Sequence, residues 1–220
     1  KISGDIEDRI KALEYEGKTV VIVSADSAIA GLIAIADSLK EHSAEAVKEL
    51  GAIGIESVML TGDNERTANA IALQVGIKRV IANVLPHEKL DVIKKLQADG
   101  KVVAMVGDGI NDAPALTEAD VGIAIGTGTD IAIESGDITL ISGDPMGIYE
   151  AIKLSRQTLR NIKQNLFWAY IYNIVLIPVA AGVLWPLWGI LLNPILAGGA
   201  MAFSSVSVVL NSLRLKRIKL

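Results

Sequence analysis

The stretch SVMLTGDNERTANAIALQVGIKRVIANVLPHEKLDVIKKLQADGKVVAMVG, residues 57–107, decides the fold. Short apolar runs at 57–60, 79–82 and 102–106 alternate with helix-period segments at 65–75 and 87–98. A strand that lies parallel to its predecessor needs such a crossover, so the alternation predicts a doubly wound, parallel α/β domain. Outward from this stretch, a further helix is expected at 43–53 and further strands at 121–125 and 137–141. Between those last strands stand Gly126, Thr127, Gly128 and Thr129, read as a turn, and a short helix. Upstream, Ile6, Ile10 and Leu13 share one face of a helix expected over 6–15. Runs at 18–23 and 30–35 flank Ser24, Ala25, Asp26 and Ser27 as an antiparallel hairpin.

Charge divides the chain. Residues 1–150 carry 13 basic and 25 acidic side chains, whereas 151–220 carry 8 basic and none acidic. Residues 164–213 contain no Asp, Glu, Lys, Arg or His. That is room for two bilayer crossings of about 20 residues each. They are expected at 166–184 and 190–210, joined by Trp185, Pro186, Leu187, Trp188 and Gly189, with the tryptophans suited to the interface belt. A long helix is expected from Pro145 or Met146 to beyond Lys163. Lys153, Arg156, Arg160 and Lys163 precede the uncharged stretch, and Arg214, Lys216, Arg217 and Lys219 follow it. The positive-inside bias then puts both ends, and the acidic domain, in the cytoplasm. The absence of cysteine excludes a disulfide framework and any thiolate ligand from these residues.

Ligands of an open α/β sheet bind beyond the carboxyl ends of its strands. After the first parallel strand come Thr61, Gly62, Asp63 and Asn64, a hydroxyl and an amide suited to phosphate at a helix N-terminus. The same residues serve equally as an N-cap turn. After the second strand, Pro86, His87, Glu88 and Lys89 open a helix and can project an ammonium toward the same anion. After the third, Gly107, Asp108, Gly109, Ile110, Asn111, Asp112, Ala113 and Pro114 offer carboxylates and an amide in a tight loop. These are hard oxygen ligands for Mg²⁺, and Pro114 suits the first turn of the next helix. Together the groups can stabilise the charge of phosphoryl transfer. What is missing is a nucleophile.

Thr61-Gly62-Asp63, the Pro86-x-x-Lys89 lysine and the ten residues from Gly107 to Leu116 resemble the phosphorylation domain of P-type ATPases, members of the haloacid dehalogenase-like superfamily. The resemblance implies such a domain followed by a transmembrane hairpin. It implies catalytic roles for Thr61, Gly62, Asp63, Lys89, Asp108, Asn111 and Asp112, with ATP contacts at Thr61, Gly62 and Lys89 and Mg²⁺ on Asp108 and Asp112. The family's phosphorylated aspartate lies in Asp-Lys-Thr-Gly-Thr, and no such string occurs here. The chain thus resembles the C-terminal portion of a pump, inactive alone. On this reading 1–36 is the remnant of the nucleotide-binding domain, 37–145 the phosphorylation domain, and 146–220 the connecting helix and hairpin. The basic helix around 152–163 is the expected coupling element.

Polar residues inside a crossing are functional candidates. The first crossing holds Tyr170, Tyr172 and Asn173, the second Met201, Ser204, Ser205 and Ser207, and neither holds a carboxylate. A thioether favours Cu⁺. Met201 and Ser205, four apart, share a helix face from which Ser204 is turned. Lipid-facing methionine and small-residue packing account for the same residues. Tyr172-Asn173 and Met201-x-x-Ser204-Ser205 resemble the Cu⁺-transporting subgroup of heavy-metal P-type ATPases. That resemblance implies a metal path through Tyr172, Asn173, Met201 and Ser205. The expected partners are the lipid membrane, the remainder of the same pump and a copper chaperone, with no nucleic acid, and the expected location is the cell membrane. Alternatives are an Ag⁺ or broader soft-metal pump and a membrane-tethered phosphatase of the haloacid dehalogenase type.

Overall fold

Helix formation beside the first phosphate-loop candidate follows from its two ends. Asn64 lies in extended backbone and its carboxamide oxygen accepts from the Arg66 and Thr67 N–H groups, while Gly76 closes the helix at φ 82°. The computed structural model describes residues 4–26, 28–36, 38–107, 110–126, 134–189 and 193–217. In chain order the first elements are α1 (Gly4–Tyr15), β1 (Thr19–Ala25), β2 (Ala28–Ile35), α2 (Ser43–Ala52), β3 (Val58–Leu60) and α3 (Glu65–Val75). Then come β4 (Arg79–Ile81), α4 (Glu88–Ala98), β5 (Ala104–Gly107), a 3₁₀ turn (Ile110–Asp112), α5 (Ala113–Glu118), β6 (Val121–Ile125) and β7 (Ile138–Leu140). The chain divides into two units, Lys1–Tyr149 and Glu150–Leu220.

In the first unit β1 and β2 pair antiparallel as a hairpin. The remaining strands are all parallel, as the alternation requires. They form two ladders, β3 with β4 and β5 with β6 and β7, rather than one hydrogen-bonded sheet among the described residues. Leu60 pairs with Ile81 at the end of the first ladder and Gly107 with Ala124 in the second. Both ladders feed one core. Ile93, Met105, Ala115 and Leu116 are buried together, and Leu60, Val103 and Ala119 pack against them. Thus the carboxyl ends of β3 and β5 are fastened beneath a common apolar layer.

The second unit is reached along α6 (Met146–Ala180), followed by α7 (Trp185–Trp188), α8 (Pro194–Leu213) and a 3₁₀ turn (Arg214–Arg217). The crossing expected at 166–184 falls on α6, which stops at Ala180 because Gly182 turns to φ 85°. For the one expected at 190–210, the described helix is α8 (Pro194–Leu213). Asn193 accepts from the Ile195 N–H and Pro194 occupies the first turn, so α8 starts there, and residues 190–192 lie outside the described ones. Among the described residues no helix is long and apolar enough to cross a membrane. Gln164, Asn165, Tyr170, Tyr172 and Asn173 dilute the apolar run of α6.

Candidate functional site

Two side-chain pairs stand at the strand ends. The first follows β3. The Thr61 N–H donates to the Ile81 carbonyl (3.0 Å), carrying the ladder one residue past Leu60. The Thr61 hydroxyl donates to Asp63 Oδ2 (2.8 Å) and accepts from the Asp63 N–H (3.1 Å), closing a small ring. The Asn83 N–H donates to the Asp63 carbonyl (2.8 Å) and the Val84 N–H to that of Thr61 (3.1 Å), which pin the turn from the other strand. A Cβ on Gly62 would lie 3.3 Å from the Val84 carbonyl oxygen, so the backbones approach closely there. Asn64, and not Thr61, is the residue that caps α3. The capping and phosphate readings of this segment therefore fall on different residues and do not compete.

The second pair joins α4 to the turn after β5. Lys89 Nζ lies 2.6 Å from Asp112 Oδ1, with both side chains largely withdrawn from solvent. The residues are 23 apart in sequence. Lys89 lies in the first turn of α4, and Asp112 ends the 3₁₀ turn just before α5, whose second residue is Pro114. Gly107 makes the pairing possible, because a Cβ there would stand 2.7 Å from Asp112 Cβ and 2.8 Å from its Oδ2. Only hydrogen fits at that position. A charge-assisted bond in a half-dry place is strong and directional, so the ammonium is held rather than left to sweep through solvent.

Asn111 is exposed on the 3₁₀ turn. Asp108 lies outside the described residues, as do Gly109, Thr127, Gly128 and Thr129 of the loop read as a turn, and residues 130–133 after it. Among the described residues no cluster of three or more His, Cys, Asp or Glu is poised for a metal. Asp112 nevertheless turns one oxygen to Lys89 and keeps a second, an arrangement a hard cation can share.

The candidate metal-path residues make the following contacts within their own helices. Asn173 Nδ2 donates to the Ala169 carbonyl (2.9 Å) of its own helix, and the Tyr172 ring lies 6.5 Å from that of Trp168. Met201 is 71% exposed. The Ser205 hydroxyl donates to the Met201 carbonyl (3.1 Å), so the two do share a face of α8. Among the described residues no hydrogen bond joins Tyr172 or Asn173 to Met201 or Ser205.

Two features escaped the sequence reading. Glu14 on α1 accepts from Asn64 Nδ2 (3.1 Å) and from Arg66 (2.6 Å), while the buried Thr67 hydroxyl donates to the Lys18 carbonyl (3.1 Å). Asn161, Asn165, Asn211 and Ser212 form an amide network between α6 and the end of α8. The signal for the second was present, since asparagines at the margins of an uncharged stretch are costly unless partnered.

Residues 2–120 match a family model described as haloacid dehalogenase-like hydrolase, and a second model of the same description matches 89–152. The chain is 61% identical over 204 residues to a protein of Synechocystis sp. named probable copper-transporting ATPase PacS, covering 93% of this chain and 27% of that protein. It is 54% identical over 215 residues to a probable copper-exporting P-type ATPase of Archaeoglobus fulgidus, covering 98% and 27%. The chain therefore spans about a quarter of the length of these curated relatives. A solved zinc-transporting PIB-type ATPase in its E2.Pi state superposes with a TM-score of 0.79 at 39% identity, covering 98% of this chain and 34% of that one.

Proposed function

Since this chain belongs to the haloacid dehalogenase-like hydrolase family, we propose that it is part of an ATP-driven P-type pump that exports Cu⁺, with phosphate chemistry in the first unit and the metal path in the second. The observation that carries the reading is the Lys89 to Asp112 ion pair, closed over Gly107 within the ten-residue motif. It fixes a cation at a strand end where an anionic ligand of this family would lie.

The acceptor aspartate is supplied by a part of the pump outside these residues. Lys89 offers the counter-charge to the transferring phosphoryl group. Thr61 now gives its proton to Asp63, so it must turn its hydroxyl outward to donate to a phosphate oxygen. The Gly62 N–H and Asn111 complete the polar rim. Asp108 and the second oxygen of Asp112 would hold Mg²⁺, which when bound neutralises phosphate charge. ATP is the phosphoryl donor. Domain boundaries at 36 and 145 follow from this reading.

The cargo is read from the second unit. Residues 164–213 hold no carboxylate for a hard or borderline dication, and Met201 supplies a soft thioether. Tyr172, Asn173, Met201 and Ser205 form this chain's share of the path, which closes against helices supplied from elsewhere in the pump. Lipid covers the apolar side chains that α6 and α8 turn outward, such as Phe167, Ile174, Phe203 and Val206. The pump is then multi-pass, lies in the cell membrane with its phosphorylation domain in the cytoplasm, and receives Cu⁺ from a chaperone.

The test is metal-stimulated ATP hydrolysis by the full-length protein with Cu⁺, Ag⁺, Zn²⁺ and Cd²⁺. Stimulation by Cu⁺ and Ag⁺ is expected; stimulation by Zn²⁺ or Cd²⁺ without Cu⁺ refutes the cargo. Because α6 is unbroken through Ser155, inserting glycines there should uncouple hydrolysis from transport. Transport that stays coupled removes α6 from the coupling role.

A further inference from the structure

The amide network has a consequence for charge. Asn161 Nδ2 donates to the Asn211 carbonyl (2.8 Å), Asn165 Nδ2 to Asn161 Oδ1 (3.0 Å) and Ser212 Oγ (2.9 Å), and Asn211 Nδ2 to Asn165 Oδ1 (2.8 Å). Asn165 takes part in three of these bonds, and Asn161, 7% exposed, is the buried member. Arg160 and Lys163 flank it on α6, and Arg214, Lys216 and Arg217 follow Ser212 in the 3₁₀ turn. Neutral amides thus hold two basic segments side by side. All five cations are exposed, and none makes an ion pair among the described residues. Residues 151–220 contain no acid that could compensate them.

We infer that Arg160, Lys163, Arg214, Lys216 and Arg217 form a binding site for the phosphate headgroup of an anionic phospholipid, assembled by the Asn161, Asn165, Asn211 and Ser212 network. Like charges gathered this way favour a counter-anion, and clustered Lys and Arg beside an apolar span attract anionic lipid. The uncharged stretch begins after Lys163 and ends before Arg214. The cluster therefore sits at the margin between apolar surface and water, the level of lipid phosphates. This inference rests on the membrane reading of the second unit.

The experiment places the full-length pump in phosphatidylcholine vesicles with and without phosphatidylglycerol, and counts retained phosphatidylglycerol by native mass spectrometry after extraction. Retention by the wild type should fall by about fivefold for each cation removed, in the pairs R160Q/K163Q and R214Q/R217Q. Asn165→Leu, which keeps every charge, should lower retention as well. Retention equal to wild type in both charge pairs overturns the site, and so does full retention in N165L. Displacement by inorganic phosphate as effective as by phosphatidylglycerol would make it a free-anion site and overturn the lipid assignment. A wild type that enters neither kind of vesicle overturns the membrane reading, and the headgroup site with it; entry into both with no charge-dependent retention overturns the headgroup site alone.

Discussion

The two units hold themselves together by opposite means. In Lys1–Tyr149 the described buried residues are mostly aliphatic, with Leu116 and Ile123 each at 1% exposure, and polar groups gather at strand ends. In Glu150–Leu220 the one buried residue among those described is polar, Asn161, while Leu166, Phe167, Ile177, Val206 and Leu210 face outward. Water drives the first arrangement by excluding apolar surface. In the second that surface is outside, and a hydrogen-bonded amide network joins the helices. The contrast separates a unit whose apolar side chains are inside from one whose apolar side chains are outside.

Substitutions can break this contrast or sharpen it. The largest effect is expected from Lys89→Met in the complete pump, which should slow phosphoenzyme formation on the order of 10²-fold or more while metal binding in the second unit persists. Rapid phosphorylation measured with radiolabelled ATP would remove Lys89 from the site. Next, Leu116→Ala should destabilise the first unit by about 2–5 kcal/mol, whereas Leu166→Ala in the second should change little in detergent, within about 0.5 kcal/mol. Comparable losses in the two melting curves would erase the distinction. Asn165→Leu strands Asn161 Oδ1 and Asn211 Nδ2, and should cost about 1–3 kcal/mol in the second unit only.

The smallest effect concerns pH. His42 Nδ1 lies 2.9 Å from Asp144 Oδ2, and that hydrogen bond, with the aspartate's charge, raises His42 above its ordinary 6.5. Asp144 is lowered from 3.8, first by the Met146 N–H that it accepts. A raised histidine contributes stability that is complete below 6.5 and fades as pH climbs through the raised value. The lowered aspartate contributes above 3.8 and loses its share on acidification. His42 is exposed and Asp144 half-buried, so solvent screens the pair. His42→Gln should flatten the decline in first-unit stability above pH 6.5; an unchanged slope in chemical denaturation would assign the decline to other groups.

Local patterns were the legible part of the sequence. The apolar run that became β6 (Val121–Ile125) and the capped segment that became α3 (Glu65–Val75) are marked by their own residues, and both keep their expected bounds. Thr61, Lys89 and Asp112 were legible as types after strands. That Asp112 would take Lys89 as its partner was not, because this depends on the space left by Gly107. Helix ends in the second unit were not legible in the sequence. A 50-residue uncharged stretch says where charge is absent but not where Gly182 and Asn193 interrupt the backbone. Pairings such as Asn165 with Asn211, 46 apart, carry no local periodicity at all.

Glu14 grips both Asn64 and Arg66, so the turn bearing Thr61 and Gly62 is moored to α1 as well as to its own strand. A version trimmed to start at Ser38 would retain each candidate phosphate ligand yet lose that mooring. Any tug on the leading helix should be felt at the loop, a mechanical thread from the front of the chain to the candidate phosphate turn.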